Sequence, residues 1–210
     1  MQLIGQYDSP FVRRVAIALT LYELPFEHLP LSVWADAEEL AKSNPLRRVP
    51  TLVLDTGECL IESFAILDAL DEMVGPRRAL IAAAGVERRN ALRICALATG
   101  SADKAVSLFY EKLLRPEPSE KWLSRCRAQI GDALSLLNRE RERIATSYWF
   151  GESLNHADIA VACALRFIND ALPGAFDMRR FPALARHSAQ CEALPVFQAI
   201  AQPFEVMLSR

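Results

Sequence analysis

Apolar positions at the start of the chain form two short runs separated by a helical stripe. Residues 2–7 (QLIGQY) and 26–31 (FEHLPL) are predicted to be strands. Ser9-Pro10 opens a helix between them, because serine is a good N-cap and proline suits the first helical turn. This strand–helix–strand order predicts a parallel βαβ unit. The apolar stripe of the helix, at spacings of four and three residues, is formed by Phe11, Val15, Leu19 and Tyr22.

A second group of elements follows in the first third of the chain. A helix at about 35–43 is stopped by an Asn-Pro pair. Residues 51–54 (TLVL) and 59–61 (CLI) are predicted to be the two strands of a hairpin, because turn residues separate them. Another helix is predicted at 62–74. The order βαβ, then α, then ββα is that of a thioredoxin-like fold.

The remaining two thirds of the chain are predicted to be helical. Residues 86–114 contain no proline and one glycine, and Ser119 caps a further long amphipathic helix. Residues 155–158 (NHAD) form a capping-box variant before a helix that is apolar on most sides, which is typical of the middle of a bundle. We therefore expect an α/β domain at 1–75, a linker at 76–85 and an all-α domain at 86–210.

Composition and charge narrow the class of protein. The chain is 51% hydrophobic and 24% charged, which is typical of a soluble globular protein and excludes a disordered or collagen-like chain. The net charge of −2 gives no bulk attraction to nucleic acid or to an anionic membrane. No apolar run approaches the roughly 18 residues of a spanning helix, and the start of the chain lacks a targeting signal. We therefore expect a cytoplasmic protein.

The cysteines and histidines predict neither disulfides nor a metal site. Five cysteines, an odd number without a C-x-x-C pair, fit a reducing compartment, and we interpret them as small core residues. The three histidines are scattered without metal-ligand spacing, so we expect no metal. No glycine-rich phosphate-binding loop is present. The cysteines are Cys59, Cys95, Cys126, Cys163 and Cys191.

Four short blocks together resemble the glutathione S-transferase family, and the resemblance covers nearly the whole chain. Residues 9–15 (SPFVRRV) look like its catalytic-serine block, and 44–52 (NPLRRVPTL) look like the block that holds its cis-proline. Residues 62–66 (ESFAI) look like its γ-glutamyl site, and 155–158 (NHAD) look like its structural capping box. Their order and spacing make the set specific. The resemblance implies a thioredoxin-like domain followed by a helical bundle, with glutathione as co-substrate.

Ser9 is the residue to which the resemblance assigns the chemistry. The thiolate of glutathione is the nucleophile, and lowering the pKa of a thiol from about 8.5 to about 6.5 takes about 2.7 kcal/mol. One charge-assisted hydrogen bond contributes about 1.5–3 kcal/mol, and a helix N terminus adds up to about 1 kcal/mol. A serine hydroxyl here is therefore adequate without a base. From the residue alone, an N-cap is the more economical interpretation of Ser9, and Tyr7 is an alternative thiolate contact.

The resemblance also implies how glutathione is held. The peptide pairs like an added strand with Val49, the residue before a cis-Pro50. The sequence alone predicts a trans bond, since only about 5–6% of X-Pro bonds are cis. Glu62 is implied to pair with the γ-glutamyl ammonium, and Ser63 to bind the carboxylate at a helix N terminus. Without the resemblance, Glu62 and Ser63 are interpreted as residues that merely begin a helix.

Three further residues lie in these blocks. Arg48 either pairs with the glycyl carboxylate or is a solvated surface charge. Arg47 departs from the family pattern, because many members of the family carry glycine at this position. Its side chain either narrows the cleft or adds a contact to a carboxylate of the ligand. Phe11 is assigned to the substrate-binding site, where an apolar pocket for varied electrophiles needs little more than shape.

We therefore predict an enzyme, a glutathione transferase that joins the thiolate to small, mostly apolar electrophiles. A glutathione-dependent disulfide or peroxide oxidoreductase of the same fold is the alternative, although Ser9 stands where cysteine-type members carry a thiol. A non-catalytic binding protein with this fold is the third hypothesis. The resemblance also implies a homodimer and a role in detoxification, and we expect no nucleic-acid or membrane partner.

Overall fold

The N-terminal sheet is mixed and has four strands, β1 (Gln2–Ile4), β2 (Glu27–Leu29), β3 (Thr51–Val53) and β4 (Cys59–Ile61). A computed structural model describes residues 1–206 and 208. The strand order is β2-β1-β3-β4, in which β2 is parallel to β1 and the other two pairs are antiparallel. The predicted parallel pair and hairpin are therefore confirmed.

Three helices accompany this sheet, and the first of them is part of the core. They are α1 (Pro10–Leu21), α2 (Ala37–Ser43) and α3 (Ser63–Val74). Every residue of α1 from Val12 to Leu19 is buried, so this helix has more than the single apolar stripe that the spacing predicted. Burial on all sides fixes the position of its N terminus, where Ser9 lies.

The rest of the chain is helical, as predicted. Helix α6 (His156–Ala171) is buried over most of its length, and the predicted capping box at its start is confirmed. Asn155 accepts from the backbone of Ala157 and Asp158, while Asp158 accepts from the backbone N–H of Asn155 at 2.9 Å. The helices are α4 (Gly85–Leu114), α5 (Glu120–Glu142), α6 (His156–Ala171) and α7 (Pro182–Glu192), with a short 3₁₀ turn at Met178–Arg180.

A short last helix, α8 (Pro195–Ala199), belongs with the N-terminal sheet. The chain divides into one compact unit of Met1–Ala83 with the segment from Leu194 onward, and a second unit of Ala84–Ala193. Buried Arg13 explains the grouping, because its guanidinium donates to the carbonyls of Ile200 at 2.7 Å and Phe197 at 2.9 Å. The predicted boundaries at 75 and 86 stay a prediction.

The interpretation of the cysteines as core residues is wrong for Cys59. This residue is exposed on β4, a strand at the edge of the sheet, whereas the other four cysteines are buried. All five are free thiols. Among the described residues, no helix combines the length and apolarity that crossing a membrane requires.

Candidate functional site

Ser9 is the N-cap of α1. Its backbone is extended, and its Oγ accepts a hydrogen bond from the backbone N–H of Val12 at 3.4 Å. The N-cap predicted for Ser9 is therefore confirmed. A hydroxyl that accepts one hydrogen bond keeps its own O–H available to donate. The first turn of α1 carries no acidic side chain, but the carboxyl group of Asp8, directly before the N-cap, lies against the backbone of Ser9.

Val49 lies close to the start of α1. The Val49–Pro50 peptide bond is cis, as the resemblance implied and against the prediction from the sequence alone. A Cβ built on Gly5 would lie 2.7 Å from Val49 Cβ and 2.6 Å from Val12 Cγ2. Gly5 thus fills the narrow space between Val49 and the first turn of α1. The structure brings these two parts of the predicted site together.

Asn44 organises the loop that carries Arg48 and Val49. Its buried Nδ2 donates to the carbonyl of Arg48 at 2.9 Å and to Thr51 Oγ1 at 3.2 Å. Its Oδ1 accepts from the backbone N–H of Leu46 at 3.0 Å. One buried amide therefore satisfies three polar groups of the loop, which favours a single conformation. Sequence analysis used this asparagine as a helix stop and as the first residue of the 44–52 block, and it did not predict these hydrogen bonds.

Arg48 and Glu62 form an ion pair. Arg48 Nη1 lies 3.3 Å from Glu62 Oε1, and both side chains are about half exposed, at 55% and 51%. Glu62 has a positive φ of 66°, which is uncommon for a residue with a side chain and marks the bend from β4 into α3. Arg47 pairs instead with Glu38 of α2, at 2.7 and 3.4 Å, so its charge is already engaged in this structure.

Ser63 is the first residue of α3 and is buried. Its Oγ accepts a hydrogen bond from Arg14 Nη1 at 3.4 Å. The neighbouring Glu62 occupies the N-cap position, but its side chain does not cap the helix. Sequence analysis missed Arg14, although a signal was present: two consecutive arginines interrupt an otherwise apolar helix.

Tyr7 is held between His28 and the C-terminal segment. Its ring stacks on His28 with a centroid distance of 3.7 Å and an interplanar angle of 3°. Its backbone N–H donates to Gln202 Oε1 at 3.1 Å, a contact that the sequence did not predict. Burial raises the pKa of Tyr7, so the phenol stays protonated at neutral pH. Phe11, in the first turn of α1, is half-buried.

Comparisons with known proteins agree with this architecture. The family description "Glutathione S-transferase, N-terminal domain" matches residues 3–78, and "Glutathione S-transferase, C-terminal domain" matches residues 120–190. The chain is 32% identical over 171 residues to the uncharacterized GST-like protein YibF of Escherichia coli K12, covering 80% of this chain and 82% of that protein. It is 28% identical over 207 residues to the probable maleylacetoacetate isomerase 2 of Drosophila melanogaster, covering 94% of this chain and 86% of that protein.

Solved structures show the same similarity. A glutathione S-transferase from Methylobacterium radiotolerans JCM 2831, in complex with glutathione sulfonate, has a TM-score of 0.91 and 29% identity. The comparison covers 100% of this chain and 98% of that one. A small mixed sheet joined to a helical unit defines the glutathione S-transferase fold. This chain belongs to the glutathione S-transferase family, which confirms both the resemblance and the predicted fold class.

Proposed function

We propose that this protein is a glutathione transferase in which the Ser9 hydroxyl stabilises the thiolate of bound glutathione. The observation that carries the proposal is the geometry of Ser9, whose Oγ accepts from the α1 backbone while its O–H remains available to donate. An anion at this point also meets the positive end of α1. The glutathione sulfonate complex of the Methylobacterium relative supports glutathione as the ligand.

The Arg48–Glu62 ion pair supports the proposed way of holding the tripeptide. Glutathione carries an ammonium at its γ-glutamyl end and a carboxylate at its glycyl end. On binding, the ammonium replaces Arg48 as the partner of Glu62, and Arg48 turns to the glycyl carboxylate. Because half-exposed ion pairs contribute only about 0–1 kcal/mol, opening this one costs little.

The other proposed contacts of glutathione involve the loop at Val49 and the start of α3. The main chain of glutathione pairs with Val49, beside the cis-Pro50, and the γ-glutamyl carboxylate binds at Ser63 and the N terminus of α3. Phe11 contributes apolar surface beside Ser9. The thiol loses its proton to solvent, and the thiolate then forms a carbon–sulfur bond while the leaving group departs with its electron pair. Ser9 donates throughout and forms no covalent bond.

The test is Ser9→Ala. Loss of about 1.5 kcal/mol or more of thiolate stabilisation raises the pKa of the bound thiol by about one unit or more, so conjugation at neutral pH falls about tenfold or more. The pH–rate profile shifts to higher pH, and the two enzymes converge where both thiols are ionised. Ultraviolet absorbance of the bound thiolate against pH measures the shift directly. An unchanged titration in the variant would exclude this role of Ser9.

Ser119→Ala is the matched control. Ser119 caps α5 with the same geometry, since its Oγ accepts from the backbone N–H of Trp122 at 3.4 Å. Both substitutions therefore remove a comparable cap, which costs about 1 kcal/mol of stability. Only the substitution at Ser9 is expected to change the thiol pKa.

A glutathione-dependent isomerase is the second candidate. The similarity to the probable maleylacetoacetate isomerase extends over 94% of this chain, and the same thiolate can add to a conjugated double bond and leave after rotation. Turnover of maleylacetoacetate without conjugation of any electrophile would favour the isomerase.

The same activity assay, with other substrates, tests the alternative functions. Disulfides and peroxides with glutathione test an oxidoreductase, and binding without any turnover indicates a non-catalytic protein. The homodimer, the cytoplasmic location and a role in detoxification stay predictions. Sedimentation of the purified chain tests the homodimer.

A further inference from the structure

The helical unit contains a cavity of about 620 Å³ near the C-terminal ends of α4 and α6. It is lined by Phe109, Lys112 and Leu113 of α4, by Arg127 of α5 and by residues 171–175 at the end of α6. All of these residues belong to the helical unit, whereas the proposed glutathione site belongs to the N-terminal unit. The volume lies within the range of about 300–1,000 Å³ that is typical of small-molecule sites. The cavity is therefore large enough for a ligand of its own.

The turn after α6 forms one wall of this cavity. Leu172-Pro173-Gly174-Ala175 has the sequence of a type II turn, with proline in the second position and glycine in the third. Gly174 has the positive φ that such a turn requires, at 74°, and the Ala175 N–H donates to the Leu172 carbonyl at 3.0 Å. Leu172 is buried and Phe109 is half-buried. The lining thus combines a fixed turn with apolar side chains.

Two cations line the same cavity. Lys112 is exposed, and its ammonium group forms no hydrogen bond or ion pair with residues 1–206 and 208. Arg127 is half-buried, and its Nη1 lies 3.7 Å from an oxygen of Glu120, whose side chain is 80% exposed. An ion pair this long and this exposed contributes little to stability. Both cations are therefore able to pair with a ligand.

No aspartate or glutamate opposes these cations within the lining, among the residues that the structure describes. The acidic neighbour of Lys112 in the chain, Glu111, is already engaged. Its carboxylate accepts from the Ser119 N–H at 2.9 Å and lies 3.2 Å from Arg115 Nε. The side chains around the cavity therefore combine apolar surface with positive charge.

We propose that this cavity is a second binding site, which takes a small organic anion with an apolar body. Lys112 and Arg127 pair with the carboxylate or sulfonate of the ligand, and the planar guanidinium can bind it through two hydrogen bonds. Phe109, Leu113 and Leu172 contact the apolar body. An inorganic anion would gain nothing from these apolar side chains, and a neutral ligand would gain nothing from the two cations.

A purely structural role of the cations makes a different prediction. Lys112 lies in the last turn of α4, where a cation stabilises the end of the helix. If that were its only role, replacing it would lower stability slightly and leave ligand affinity unchanged. A binding role affects only those ligands that carry the anionic group.

The experiment compares two fluorescent probes that share a ring system. 8-Anilinonaphthalene-1-sulfonate carries a sulfonate, and N-phenyl-1-naphthylamine is its neutral analogue. Both are titrated into the full chain with S-hexylglutathione present, so that the proposed glutathione site is occupied. Lys112→Met and Arg127→Met should each weaken binding of the sulfonate about three- to tenfold, as loss of one charged contact implies, and change binding of the neutral probe less than twofold. Added salt should weaken only the sulfonate.

Two further variants complete the test. Leu113→Ala, at a side chain that is 41% exposed and thus contributes little to folding, should weaken both probes. Lys121→Met, at an exposed lysine of α5 outside the lining, is the control for the lost charge and should bind both probes as the wild type does. Sulfonate affinity that is unchanged in Lys112→Met and Arg127→Met, or lowered equally in Lys121→Met, would overturn the proposal. Equal loss of both probes in the two cation variants would also overturn it.

This result does not depend on the proposed function. Every variant lies in the helical unit, so none of them should change the affinity for glutathione. A chain that fails to bind glutathione but binds the sulfonate through Lys112 and Arg127 would refute the proposed transferase and retain the second site.

Discussion

Replacing Gly5 by alanine tests whether the close packing around this glycine supports the candidate site. In Gly5→Ala, the new Cβ would lie 2.6 Å from Val12 Cγ2 and 2.7 Å from Val49 Cβ, whereas carbon atoms ordinarily approach to about 3.5–4.0 Å. The backbone cannot easily move away. The Gly5 N–H donates to Leu29 at 2.9 Å, and the Gly5 carbonyl lies 2.7 Å from His28 Nε2.

The expected cost has two parts. Gly5 has a φ of 126°, a conformation that residues with a side chain rarely adopt and that costs about 1–3 kcal/mol. Forcing a methyl group into a packed space costs a further amount of about 1–3 kcal/mol. The free energy of unfolding should therefore fall by about 2–6 kcal/mol, a large part of the about 5–15 kcal/mol of a typical domain.

Urea unfolding followed by circular dichroism measures this loss, and calorimetry measures glutathione binding to the folded fraction. Because the methyl group displaces Val49, glutathione affinity should fall together with stability. Gly100→Ala in α4 is the control, since nothing lies within 4 Å of its Cβ position, and it should gain about 0.5–1 kcal/mol. A Gly5→Ala protein with wild-type stability and wild-type affinity would refute the close packing of Gly5 against Val49.

Two further substitutions separate binding from stability. Glu62→Gln should weaken glutathione several-fold through loss of the ammonium partner, yet change the free energy of unfolding by less than about 1 kcal/mol, because its ion pair with Arg48 is half exposed. Calorimetry with wild-type affinity would exclude this role of Glu62. Asp158→Ala should cost about 2–4 kcal/mol in urea unfolding, since the buried N–H of Trp149 and the partly buried N–H of Asn155 lose their acceptor. Asp158→Asn retains one acceptor oxygen and should cost less; equal effects would argue against the capping geometry.

Elements with strong local chemistry could be predicted from the sequence. Ser9-Pro10 begins α1, and the NHAD block at 155–158 begins α6, because capping depends on residues within three or four positions of each other. The ends of the strands depend more on contacts with residues that are distant in sequence. The strand predicted at 2–7 ends at Ile4, because Gly5 leaves the extended conformation to pass between Val12 and Val49.

The supporting residues of the site could not be predicted, because their partners are distant in sequence. Arg14 and Ser63 are 49 positions apart, and Tyr7 and Gln202 are 195 apart. No periodicity or spacing rule connects such pairs. The resemblance located the residues expected to touch the ligand, such as Ser9 and Glu62, but the residues that hold them in place emerge only when the chain is folded.

The starts of α1 and α3 are the two helix ends at which the proposed site would hold anionic groups of glutathione. Ser9 is the N-cap of α1 and Ser63 is the first residue of α3. Neither helix has an acidic residue in its first turn, whereas α5, which Ser119 caps, has Glu120 there. A negative charge at a helix N terminus is stabilised by about 0.3–1 kcal/mol. In the proposed complex, a thiolate at Ser9 and a carboxylate at Ser63 would each lie at one of these helix ends, so each contact would contribute about that much to the binding of glutathione.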